Sequence, residues 1–229
     1  VTADNSRPTL LLVHGAWHGS WCWDRVRPLL EDDGWTTRTV DLPSAGGPDA
    51  GLHDDSRAVL AEVERIDGPV VVVAHSYGGA PVSQALASAS GVAHAVYVAA
   101  FQLDAGESLL GQYGAPLPEE PHGVQPVPDD PVHLFYGGVP AAEAEEAARR
   151  LVPQSTRSFA ETLTRAGWHT VPSTYVVCEQ DRALPLQNQE AMAARAGAVH
   201  RLASHHSPFL SAPEEFAALL AKIALDAVG

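Results

Sequence analysis

The stretch from Val70 to Ala80, VVVVAHSYGGA, constrains the fold more than any other part of the chain. Four consecutive valines, Val70 to Val73, read as a strand buried on both faces. Ser76 follows at once, then Gly78 and Gly79, then a run of small residues through Ala87 that reads as a helix. The pattern is a strand, a sharp turn and a helix, with a serine at the apex. A serine held there adopts a strained backbone that costs on the order of 1–3 kcal/mol. Small residues two before and two after it, Ala74 and Gly78, let strand and helix approach closely. A glycine-rich turn of this kind can also cradle a phosphate. Here the G-x-G-x-x-G spacing is absent and no Walker lysine follows.

The same rhythm recurs on both sides of this stretch. Thr9 to Val13 reads as a first central strand, and His14-Gly-Ala-Trp-His-Gly-Ser-Trp21 as a loop whose backbone approaches a ligand. Trp23, Val26, Leu29 and Leu30 fall on one helical face, and Thr36 to Val40 forms a second strand. Leu52, Ser56, Val59, Leu60, Val63 and Ile66 make a helical stripe, with Asp54 and Asp55 near its start, where the helix dipole favours negative charge. Ala95 to Ala99 and Ser173 to Cys178 read as further buried strands, Leu186 to Ala196 as a helix and Val199 to Leu202 as a last short strand. Ser211-x-x-Glu214 with Pro213 predicts a capping-box start for a closing helix carrying Phe216, Leu219, Leu220 and Ile223. Strands alternating with helices imply parallel β-α-β units in one α/β domain over residues 1–229.

The rhythm breaks between residues 102 and 169, where seven prolines fall from Pro116 to Pro140. Ala141 to Leu151 and Ser158 to Ala166 are the helical patches within it. A structureless loop of that length is improbable in a compact domain, so this segment is expected to be a lid with its own helices.

Composition excludes several partners. Twenty-eight acidic residues against fourteen basic ones give a net charge of −14, which repels nucleic acid. No run of 18 apolar residues exists to span a membrane, and the opening residues, VTADNSRP, lack the basic head and apolar core of a signal peptide. Cys22 and Cys178 are expected to be reduced thiols in a cytoplasmic protein. No metal-ligand spacing appears among the histidines and cysteines, so neither metal nor cofactor is expected. A homodimer is the default expectation for assembly.

Ser76 needs a base within reach and a group that orients the base. In an open α/β sheet, sites form at the carboxyl ends of strands. The loop after Cys178 offers Glu179 and Asp181, and the loop after Leu202 offers His205 and His206. Asp104, after the strand that follows Ser76, is a rival acid.

Taken together, Leu12-Val-His-Gly-Ala-Trp-His-Gly-Ser-Trp21, Asp41-Leu42, Ala74-His-Ser-Tyr-Gly-Gly79, Asp181 and His206-Ser-Pro-Phe209 resemble the α/β-hydrolase superfamily. Within it they resemble the small plant-type methylesterase and hydroxynitrile lyase branch and its bacterial esterase-like relatives. The likeness runs from Leu10 to the last helix and is weakest between Leu103 and Gly167. It implies an α/β-hydrolase fold, with a mostly parallel sheet, helices on both faces and a helical lid. It also implies a serine hydrolase cleaving a small carboxylic ester through an acyl-enzyme. Carried over position by position, Ser76 is the nucleophile, Asp181 the triad acid and His206 the base. The backbone N–H groups of Ala16 and Tyr77 form the oxyanion hole. Gly15, Trp17 and Phe101 are expected to bind substrate, His14 to shape its loop, and His75 to pack. Trp21, Trp23 and Trp168 are expected to be core or lid aromatics. A lyase of this branch resembles a site with threonine at the Gly15 position and lysine at the Ser207 position, which this chain lacks. The same triad would also serve lactone or thioester opening, or a small-molecule receptor with vestigial hydrolysis.

Overall fold

A computed structural model describes residues 7–228, so the reading of the first residues as no signal peptide lies mostly outside the described residues. The framework before the break comprises β1 (Thr9–Val13), α1 (Val26–Asp32), β2 (Thr37–Val40), α2 (Leu52–Val63), β3 (Val70–His75), α3 (Gly79–Leu86) and β4 (Val92–Val98). The intervening segment carries α4 (Leu109–Gln112), β5 (Val124–Gln125), α5 (Pro131–Phe135), α6 (Ala141–Arg149), β6 (Gln154–Ser155) and α7 (Thr156–Ala160). The framework resumes with β7 (Ser173–Cys178), α8 (Leu186–Ala193), β8 (Ala198–Leu202), α9 (Pro208–Ser211) and α10 (Pro213–Asp226).

Six strands form one sheet in the order β2-β1-β3-β4-β7-β8, and every neighbouring pair is parallel. The period-2 alternation of strand side chains divides the core in two. Leu11, Val13, Val72, Ala74, Tyr97 and Tyr175 face the helices α2, α3 and α8. Leu10, Leu12, Val71, Val73, Val96 and Val176 face α1 and α10 on the other side. Both faces are covered, which is why the valine run of β3 needs no polar alternation.

From β1 the chain moves to β2 on one side, then back to β3 on the other. The carboxyl ends of β1 and β3 are therefore neighbours at the reversal point of the strand order, where sites in open α/β sheets form.

Three local expectations are corrected. Trp23 does not belong to the helix of Val26 and Leu30; it ends a separate 3-10 turn over Ser20–Trp23. The closing helix is not capped by Ser211, because Ser211 is the last residue of α9, and its hydroxyl lies 3.3 Å from the Ser207 carbonyl, which accepts its proton. Ala212 takes the cap position, and Pro213 opens the helix without needing an N–H partner. The helix expected over 158–166 is shorter and earlier, at Thr156–Ala160. Beyond it the backbone of Leu163 pairs with the 106–107 turn, donating to Glu107 O (2.9 Å) and accepting from Gly106 N–H (2.7 Å), which removes it from a helical ladder. Cys22 and Cys178 are both buried and unpaired. No helix among the described residues is long and apolar enough to cross a membrane.

Candidate active site

Ser76 stands at the turn between β3 and α3 with φ +52°, a left-handed conformation that a non-glycine residue adopts only when its surroundings impose it. Those surroundings are visible. A Cβ on Gly78 would lie 2.5 Å from the His14 carbonyl oxygen, and one on Gly79 would lie 2.8 Å from the Phe101 carbonyl oxygen. The two glycines let the turn press against the loops after β1 and β4. The Phe101 N–H donates to Ser76 O at 3.0 Å and pins the apex.

The loops after β7 and β8 bring Asp181 and His206 together. His206 Nδ1 lies 2.7 Å from Asp181 Oδ2, with the two side chains 3% and 0% exposed. Asp181 Oδ1 accepts the N–H groups of Ala183 (2.7 Å) and Leu184 (2.9 Å), and Gln189 Nε2 donates to Oδ2 at 3.3 Å. Those donors hold the carboxylate in one orientation. With Nδ1–H donated to Asp181, the imidazole lone pair stands on Nε2, the tautomer a base requires. His206 and Ser76 line the same cavity of about 300 Å³. Among the described residues no hydrogen bond joins the Ser76 hydroxyl to His206, and such bonds commonly tighten only when substrate is bound.

The rivals stand elsewhere. Asp104 is 39% exposed, pairs with His169 Nε2 at 2.9 Å and is held below the usual carboxylate range chiefly by that hydrogen bond. Glu179 is exposed beside Arg201. The His205 ring packs over Gly137 and does not line the cavity.

The backbone N–H groups of Ala16 and Tyr77 have no acceptor among the described residues, and both residues line the cavity. The loop carrying Ala16 is held by its own histidines. Leu42 N–H donates to His14 Nε2 (3.0 Å), so Nδ1–H donates to Gly15 O (2.8 Å). That carbonyl and the Ala16 N–H are opposite ends of one peptide unit, so anchoring one aims the other. His18 Nδ1–H donates to Ala16 O (2.7 Å), and the Tyr136 hydroxyl donates to His18 Nε2 (2.9 Å). Burial pushes His18 down to about 3 and lowers His14. His75 does more than pack. Its Nε2–H donates to the His206 carbonyl at 2.8 Å, its ring lies 4.6 Å from the His206 ring, and burial holds it well below the usual imidazole range.

Trp17 and Phe101 line the cavity as expected. Gly15 does not. It lies behind the site, where an added Cβ would meet Ser76 Cβ at 2.9 Å and His75 Nδ1 at 3.1 Å. Trp23 is buried core, Trp21 stacks on His18, and Trp168 Nε1–H donates to Leu103 O at 2.8 Å. Sequence reasoning missed Phe135 and Phe159. Phe135 lies 5.7 Å from both Trp17 and His206, and Phe159 packs edge-on to Trp17 at 5.4 Å. Their signal is faint: single large aromatics on short helices in a proline-rich segment. Leu109, Tyr113 and Leu184 complete a predominantly apolar wall.

The model of the alpha/beta hydrolase family matches residues 10–219, and the chain belongs to that family. Methylesterase 1 of Arabidopsis thaliana is 27% identical, over 84% of this chain and 85% of that relative. Salicylic acid-binding protein 2 of Nicotiana tabacum is 29% identical, over 93% and 96%. Among solved structures, a methylesterase protein from Arabidopsis superposes with a TM-score of 0.80 at 25% identity, covering 94% of this chain and 98% of its own. A pyrethroid hydrolase from Sphingobium faniae JZ-2 gives 0.77 at 25% identity, covering 96% and 98%.

Proposed function

We propose that this protein, a carboxylic ester hydrolase by its relatives, cleaves its substrate through an acyl-enzyme on Ser76. The observation that carries this reading is the buried His206–Asp181 pair opening onto the same apolar cavity as a serine at φ +52°. His206 Nε2 takes the Ser76 proton as Oγ attacks the ester carbonyl. The Ala16 and Tyr77 N–H groups bind the oxyanion; one such donor is typically worth about 10²–10³ in turnover. The imidazolium, stabilised by Asp181, gives its proton to the departing alcohol. Water activated by the same base then attacks the acyl-enzyme and releases the acid.

Residues 102–169 act as the lid in this reading, since Leu109, Leu134, Phe135 and Phe159 roof the cavity. An apolar wall around about 300 Å³ suits a compact, uncharged ester with an aromatic or branched aliphatic group. Lactone or thioester opening would use the same atoms. Cyanohydrin cleavage is disfavoured, because Gly15 leaves no room for a larger residue and Ser207 is buried, where a lysine would be desolvated. Purified protein is expected to hydrolyse short p-nitrophenyl esters, with Ser76 acylated in mass spectra of quenched reactions. Cleavage of mandelonitrile with no ester turnover would overturn the reading.

A further inference from the structure

Below the site lies a buried carboxylate that the reaction above does not use. Asp55, on α2, has no exposed surface and no basic group among its hydrogen-bond partners. It accepts the N–H of Ser44 at 2.9 Å and the hydroxyls of Ser44 and Tyr77. Ser44 Oγ accepts Gln154 Nε2–H at 2.6 Å, and Gln154 Oε1 accepts the Trp17 N–H at 3.1 Å.

The polarity of this chain is forced. An amide N–H can only donate, so Gln154 presents Oε1 to Trp17 and Nε2 to Ser44. Ser44 then gives its hydroxyl proton to Asp55, and an ionised Asp55 can only accept from Tyr77. The network therefore runs without interruption from the residue after Ser76 to the residue after Ala16. Its two ends adjoin the strained residues of the site. Ser76 has φ +52° and Trp17 has φ +63°. Trp17 is held at both backbone groups from the lid segment, because its carbonyl also accepts Val152 N–H at 3.0 Å. Such conformations persist only where the surroundings over-determine them.

We propose that Asp55, Ser44 and Gln154 are positioning residues that, through Tyr77 and Trp17, fix the two oxyanion donors relative to each other and tie that geometry to the seating of the lid. This rests on the hydrolase reading above. A purely structural role is a poor account of Asp55, because a buried carboxylate without a cation is costly and an apolar side chain would be cheaper. The groups facing it are few. The elbow contributes Tyr77 and the loop before α2 contributes Ser44, while Ser158 of α7 meets the network at Gln154, whose Nε2 it also receives at 2.8 Å. Asp54 is the charged neighbour on its own helix, while Arg157 and Glu161 pair with each other and reach the 49–53 end of that helix. Burial pushes the Asp55 carboxyl up to about 6. Protonation would remove the negative charge that the three donors share, weakening the hold on Ser44 and Tyr77.

Gln154→Met cuts the network at Trp17 and leaves Asp55 in place. On a p-nitrophenyl ester, kcat is expected to fall about tenfold with KM within about twofold, and affinity for a boronic acid that mimics the tetrahedral intermediate should fall in parallel. The second measurement is independent of turnover. In wild type, the amide resonances of Trp17 and Tyr77 should titrate together with one midpoint near 6; in Asp55→Asn both should lose it, and in Gln154→Met Trp17 alone should lose it. Turnover with unrelated amide titrations, or a Gln154→Met defect confined to KM, overturns this inference alone. A wild type that turns over no ester overturns the hydrolase reading and this inference with it.

Discussion

The framework strands and the segment from 102 to 169 build the two walls of one cavity by opposite means. Between β1 and α3 the chain forms long-range parallel pairs, and its apolar residues alternate with the strand period. It delivers Ser76 and the Ala16 loop to the same end of the sheet. Residues 102–169 form α-helices of four to nine residues and a two-strand pairing of β5 with β6. They deliver apolar surface instead, through Leu109, Phe135 and Phe159. Backbone ladders hold the framework. Scattered single bonds hold residues 102–169 to it, from backbone, as Gly46 N–H to Pro153 O at 2.7 Å, and from side chains, as Arg195 to Glu107 at 2.6 Å and Gln84 Oε1 to the Thr164 N–H at 2.8 Å. In the proposed reaction the reacting atoms therefore sit on loops at the strand ends, while most of the apolar wall sits on short elements outside the sheet.

The largest test of that division is on the framework side. Ser76→Ala should cost about 10⁶ in kcat, with the thermal midpoint nearly unchanged in calorimetry. Next come His206→Ala and Asp181→Asn, each expected to lose on the order of 10⁴ or more, against less than about threefold for His205→Ala and Asp104→Asn. Equal losses at His205 and His206 would break the assignment. Gly15→Thr should lower kcat/KM by about 10², because its Cβ would meet Ser76 Cβ at 2.9 Å and displace the attacking oxygen. On the side of residues 102–169, Phe159→Ala should cost only about tenfold, and mainly in KM for aryl esters relative to acetyl esters. A large kcat loss there would show that this segment takes part in the chemistry.

The subtlest test reads stability where the two regions meet. Asp55 stands at about 6 in the folded protein against an ordinary value of 3.8. Between those values the folded state holds the proton and the unfolded chain does not, so this group's contribution falls as pH rises through the window. At 1.36 kcal/mol per pH unit, the change amounts to about 3 kcal/mol. Urea melts of wild type should therefore lose stability relative to Asp55→Asn between about pH 4 and 6. Parallel curves would remove the buried-acid account.

The strand–turn–helix at Ser76 was legible because its demands are local. A valine run, an apex serine and flanking glycines suffice to specify it, and β3 and α3 follow to within a few residues. The loops after Cys178 and Leu202 were legible as candidate sources of an acid and a base because sites in open α/β sheets form at strand ends. The choice between His205 and His206 rested on likeness to relatives until the structure placed one ring on Asp181 and the other over Gly137. Phe135 and Phe159 were not legible as cavity walls, since nothing adjacent in the sequence says which way a short helix between 102 and 169 faces. Asp55 reads in the sequence as a charge complementing a helix N-terminus. That role falls to Asp54, whose Oδ2 accepts the Gly51 N–H at 2.8 Å, while Asp55 turns inward to Tyr77.

The sequence by itself determined the parallel α/β architecture, the strained serine and the short set of residues able to serve it. The first two follow from side-chain periodicity and from steric limits on neighbouring residues, which act over a few bonds, and the third from the rule that sites form at strand ends. Only the tertiary structure decided which imidazole meets the carboxylate, what roofs the cavity and why an acid lies buried beneath it. Those outcomes depend on segments tens of residues apart converging at the strand ends, where crossover geometry and packing choose the partner.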